Sequence, residues 1–83
     1  MVDEKDRFYS RLATIPGVHP LPSIGDWILL QVENPSELAR RVNRRLQPGA
    51  MSVPRQVHGA VRIQVSDPRT NEQVYTAIRD LSG

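Results

Sequence analysis

The sequence predicts an α+β fold: a two-layer sandwich in the order helix, strand, helix, short strand, strand, helix, with a small, mainly antiparallel sheet and the helices packed on one face. The prediction rests on three observations. Apolar residues recur at helical spacing in three segments, strand-like apolar runs lie between them, and proline and glycine punctuate the boundaries.

In the first helix Phe8, Leu12 and Ile15 share a face, and Asp3, Glu4 and Asp6 lie in the first turn, where the helix dipole favours carboxylates. The helix is expected to stop at Pro16-Gly17. Pro20 and Pro22 then force an extended connection. Trp27-Ile28-Leu29-Leu30-Gln31-Val32 is mostly apolar and is predicted to be the central strand, buried on both faces. Asn34-Pro35-Ser36-Glu37 starts the second helix with a capping side chain, a proline at the first helical position and a glutamate three residues after the cap. Leu38, Val42 and Leu46 form its apolar stripe, and Pro48-Gly49 ends it. Met51-Ser52-Val53 is a short strand cut off by Pro54, and a turn at His58-Gly59 leads into a strand from Ala60 to Val65. Asp67-Pro68 caps the last helix, whose inner face carries Val74, Ile78 and Leu81.

At 83 residues the chain is expected to be one small domain, 1–83, with a single core and little stability to spare. It contains no cysteine, so neither a disulfide nor a thiolate metal site is available. His19 and His58 are far apart, each beside turn-forming residues, and no metal site is expected from them. The N-terminal stretch is charged with both signs and leads into no apolar run, unlike a signal peptide, and no segment has the length of a membrane span. A cytoplasmic protein without a membrane partner is expected. The sequence pI of about 9.7 suggests a polyanion partner, but the net charge is only +2. Between Leu38 and Ser66 there is no acid, while Arg40, Arg41, Arg44, Arg45, Arg55 and Arg62 accumulate. The cluster Arg40 to Arg45 is expected to be a solvated helix face near a C-terminus, where cations suit the dipole. Its sharper alternative is a stand-alone nucleic-acid-binding or protein-interaction module. Aromatic content of 5% and the lack of paired exposed aromatics on the strands weigh against a nucleic-acid partner.

The segment Val61-Arg62-Ile63-Gln64-Val65 sets an arginine between apolar residues in strand alternation. Such a cation either reaches solvent, paired with a helix acid such as Asp67 or Glu72, or receives an external anion.

Taken in order, Pro16-Gly17-Val18, then Pro22-Ser23-Ile24-Gly25-Asp26-Trp27-Ile28-Leu29-Leu30, then Val61-Arg62-Ile63-Gln64-Val65-Ser66, then Pro68 and Asn71-Glu72 resembles the C-terminal small domain of fold-type I aminotransferases dependent on pyridoxal phosphate. Histidinol-phosphate aminotransferases are the most similar, and the resemblance runs from about residue 4 to residue 81. Two positions depart from the family pattern: Asp26-Trp27 stands where the family has Asn-Phe, and Ser66 where it has glycine.

The resemblance implies a substrate-recognition domain of an amino-acid biosynthetic transferase, with Arg62 gripping the substrate α-carboxylate and Arg55 helping to receive a distal anionic group. A planar fork of donors suits a carboxylate, which agrees with arginine at that position. Asp26 either positions the substrate loop or caps a turn, the turn being the simpler reading. The resemblance also implies that pyridoxal phosphate, the lysine that holds it and the catalytic residues belong to a large domain of the same polypeptide, and that the parent enzyme is a homodimer. The only lysine here, Lys5, lies in a charged first helical turn, where nothing desolvates it. No catalysis and no cofactor binding are therefore expected from the chain in isolation. With its abrupt start at Val2-Asp3-Glu4 and its end at Ser82-Gly83, it is expected to be a fragment of a larger enzyme.

Overall fold

A computed structural model describes residues 3–82, and the expected fragment ends at Val2 and Gly83 lie outside them. The elements follow the order α1 (Glu4–Leu12), β1 (His19–Leu21), β2 (Trp27–Gln31), α2 (Pro35–Arg45), β3 (Met51–Ser52), β4 (Ala60–Gln64) and α3 (Pro68–Ser82). The four strands make one sheet in the order β1-β2-β4-β3, with every neighbouring pair antiparallel. This is the expected α+β sandwich with one more strand.

The added strand is β1, formed within the segment expected only to be an extended connection. Proline is tolerated there because β1 is an edge strand, and Pro20, which has no N–H to offer, lies opposite Leu30. The Tyr9 hydroxyl donates to the Pro20 carbonyl at 3.0 Å and so ties α1 to this edge. The other edge is closed by a side chain. Asn43 of α2 donates to the Met51 carbonyl at 2.9 Å and accepts from the Met51 N–H at 2.7 Å, standing in for a further strand beside β3.

Strand alternation decides which residues form the core. Ile28 and Leu30 of β2 lie opposite Ile63 and Val61 of β4, Met51 of β3 lies beside Ile63, and all of these are buried. They pack with Phe8 and Leu12 of α1, Leu38, Ala39 and Val42 of α2, and Val74, Ala77 and Ile78 of α3 in one cluster. The helices therefore cover a single face of the sheet. The expectation that the 27–32 strand is buried on both faces is corrected: Trp27 and Gln31 are exposed and Leu29 is only partly buried. An apolar run suggested two covered faces, but the second face has no layer over it.

Helix ends differ from expectation in two places. α1 stops at Leu12, before Pro16-Gly17, and Ile15 is buried from a turn whose N–H bonds the Leu12 carbonyl. Asn34 makes no capping bond with its side chain, and Glu37, expected to complete the cap, is drawn instead to Arg40 and Arg41 at 2.7 and 2.8 Å. The Asp67 cap of α3 does form. Its carboxylate accepts from the Thr70 N–H at 3.2 Å and from the Thr70 hydroxyl at 2.6 Å.

Several carboxylates are held below their ordinary range by these contacts. Arg7, then Asn71, lowers Glu4; Arg40 lowers Glu37; the Thr70 hydroxyl lowers Asp67; Arg45 lowers Asp80. Each lowered group contributes stability that is complete above its unfolded pKa and is lost as pH falls through the folded one. With ordinary values of 4.5 for glutamate and 3.8 for aspartate, the urea midpoint is expected to be flat near neutrality. It should then decline once pH drops below about 5. A midpoint unchanged between pH 7 and pH 3 would contradict this assignment of the four contacts.

Candidate functional site

The uncovered face of the sheet is built from the alternate positions of the same strands. At its centre the register lines up Leu21, Leu29, Arg62 and Ser52 across β1, β2, β4 and β3. Trp27 lies opposite Gln64, diagonal to Arg62. This diagonal is within reach of long side chains, and the Arg62 guanidinium carbon sits 4.3 Å from the centroid of the Trp27 ring. Arg62 is thus exposed but not loose, because the indole gives its guanidinium a surface to rest on.

Of the two alternatives for Arg62, the pairing with Asp67 or Glu72 does not occur. Asp67 is occupied by Thr70, and Glu72 accepts from Arg11 at 2.9 Å. Among the described residues no carboxylate lies within salt-bridge distance of Arg62. The outer positions of the strands, His19, Leu21, Trp27, Leu29, Gln31, Ser52, Ala60, Arg62 and Gln64, contain no acid either. The outer strand positions thus carry one arginine and no carboxylate.

Trp27 is itself positioned from a distance. The loop before β2 turns at Gly25, whose φ of 81° favours glycine. Lys5 of α1 donates to the Ser23 and Gly25 carbonyls of this loop at 2.7 and 2.5 Å, and the Ser23 hydroxyl donates to the Trp27 carbonyl. Lys5, expected in a charged first turn where nothing desolvates it, is the anchor of the loop that delivers Trp27. Nothing local signals this, since its partners lie 18 and 20 residues further along the chain. The Asp26 carboxylate caps no turn among the described residues. Asp26 contributes its carbonyl, which accepts from Val65 N–H at 2.7 Å and continues the pairing of β2 with β4.

Arg55 stands exposed in the turn after β3, off the sheet, so the register that fixes Arg62 does not fix Arg55. His58 is exposed in the turn beside Gly59, whose φ is 75°. Two carboxylates stand against the four arginines of the Arg40 to Arg45 face: Arg40 and Arg41 share Glu37, and Arg45 pairs at 3.0 Å with Asp80, which Arg79 also approaches. Only Arg44 of that group has no acidic partner among the described residues. A cleft of about 260 Å³ opens elsewhere, between the Pro16 to Val18 turn and the start of α2, and the Glu37–Arg41 pair at its edge satisfies itself.

Among the described residues no cluster of three histidine, aspartate or glutamate side chains is placed to hold a metal ion. No helix of the described residues is long and apolar enough to cross a membrane. No family model matches the chain, and no curated protein matches it.

Proposed function

We propose that this chain is the substrate-recognition small domain of an enzyme of the pyridoxal-phosphate aminotransferase type, in which Arg62 binds the substrate carboxylate. The observation that carries the reading is the state of Arg62: central on an uncovered sheet face, supported by Trp27, and without an acid beside it. A guanidinium carries its N–H donors in its own plane, so stacking on an indole leaves the fork free for a carboxylate. The bare face of the sheet suits an enzyme in which a large domain closes over it and shields the ion pair from water.

The residues of this chain do not fit the cofactor itself. Its single lysine is committed to two loop carbonyls and would have to abandon both to react. Pyridoxal phosphate, the catalytic residues and the dimer contacts therefore belong, in this reading, to a large domain of a cytoplasmic parent enzyme. The chain's own part is to bind and orient the amino-acid substrate. Arg55 lacks the fixed placement of Arg62, and the proposal does not depend on it.

In the enzyme that carries this domain, Arg62→Lys replaces a bidentate contact by a point charge, at a cost of about 2 kcal/mol. KM for amino-acid donors should therefore rise by about thirty-fold, with cofactor absorbance retained. Unchanged kinetics would remove Arg62 from the binding site.

A further inference from the structure

The surroundings of Arg62 on the open face are lopsided. Toward β2 and β1 its neighbours are apolar: Leu29 directly opposite, Leu21 beyond it, and Trp27 on the diagonal, with 39% of the indole residue exposed. Toward β3 there is Ser52, and further along β4 there is Gln64. Neighbouring strands lie about 4.8 Å apart, so Leu29 and Leu21 offer an apolar strip reaching about 10 Å to one side of the Arg62 backbone. That is the span of one aromatic ring or branched chain on a short stem.

We infer that the Arg62 site selects monocarboxylates with a flat or branched apolar body, the carboxylate on Arg62 and the body on Leu29, Leu21 and Trp27. The inference rests on the reading of Arg62 as a carboxylate receptor and adds what that carboxylate is attached to. A second anionic group on the ligand would lie over the apolar strip, lose hydration and find no cation of the sheet to replace it. An apolar body removes exposed surface of Leu29 and Trp27 from water while the single charge is paired. Trp27 contributes twice, as the surface that holds the guanidinium and as a wall of the apolar strip, so it sets both placement and preference.

The test uses the 83-residue chain, in which Trp27 is the only tryptophan and gives a single indole N–H signal. The chain is titrated with acetate, glutarate and 3-phenylpropanoate at constant ionic strength, and binding is read from the shifts of that signal and of the Leu29 and Arg62 amides. Phenylpropanoate is expected to bind about ten-fold more tightly than acetate or glutarate. Arg62→Gln should abolish binding of all three. Leu29→Ser, which keeps the indole reporter, should bring the preference within about two-fold. Trp27→Ala, followed through the backbone amides, should weaken all three and remove the preference. Equal affinities that all depend on Arg62, or a preference for glutarate, would overturn the selectivity and leave the carboxylate receptor standing. Shifts that do not depend on Arg62, or no shifts at all, would overturn both.

Discussion

Replacing Asn71 by aspartate is expected to lower the melting temperature by about 15 °C at pH 7, although the two side chains have nearly the same shape. Asn71 is the one buried polar residue among those described, with 1% of its surface exposed. Its Oδ1 accepts from the Ser66 N–H at 2.8 Å, and its Nδ2 donates to the Ser66 carbonyl at 2.9 Å and to Glu4 Oε2 at 2.8 Å. One amide therefore joins the exit of β4, the first turn of α3 and the start of α1. Asn71→Asp keeps the acceptor but sets an anion against a carbonyl oxygen and the Glu4 carboxylate, in a site with no room for hydration. Asn71→Ala removes the bonds without adding charge and should cost about 2 kcal/mol, with the aspartate variant about 1 kcal/mol worse. The sign with pH separates the two. The introduced carboxyl has its folded pKa raised by a like charge and by burial, so the deficit is largest above that pKa and shrinks on acidification. Thermal melts at pH 7 and pH 4.5 read this directly; an aspartate variant with the deficit of the alanine variant at both values would mean that the Glu4 contact is not formed.

Most of the element order was legible, because it is written in local spacing. Leu38 and Val42 fall on one helical stripe, Val61 and Ile63 alternate with Arg62 and Gln64, and Asp67 caps α3 as its sequence signature requires. What was not legible depends on partners far along the chain. β1 pairs because β2 offers it an edge, a fact absent from the His19-Pro20-Leu21 tripeptide. Asn34 carries a good cap signature, yet Glu37 has two arginines within one turn and goes to them. Asn43, on a helix whose apolar stripe says nothing about it, closes the edge of β3.

The candidate site was half legible. Arg62 stood out by its place in the alternation, and the acids that one of its two alternatives would pair with it are held by Thr70 and Arg11. Trp27 was absorbed into an apolar run and counted as core, because composition cannot tell a strand covered on both faces from one covered on a single face. Its neighbour Ile24 is 97% exposed and Val53 is 40% exposed.

Phe8→Ala carries the largest expected effect, about 4 kcal/mol of lost stability, because it deletes the one phenylalanine of the chain from a site only 1% exposed. A domain of this size has about 4–12 kcal/mol in total, so the loss takes from about a third to the whole of it. Whether the loss spreads or stays in α1 depends on what α1 holds. Lys5 anchors the loop before Trp27, Tyr9 bonds the β1 edge, Arg11 pairs with Glu72 of α3, and Glu4 bonds Asn71. Four contacts to three other parts of the chain make independent fraying of α1 costly, so α1 and the sheet should melt together. Trp27 makes this observable, since its environment depends on the loop that Lys5 anchors. In urea, the helical signal in the far ultraviolet and Trp27 fluorescence should give one coincident transition in both the wild type and Phe8→Ala, with the midpoint of the variant displaced toward zero denaturant. A helical loss that precedes the Trp27 transition would show α1 to be a separable unit. In that case Arg62 would keep its platform without α1, and the chain from Lys5 through the loop to Trp27 would not be what positions the guanidinium.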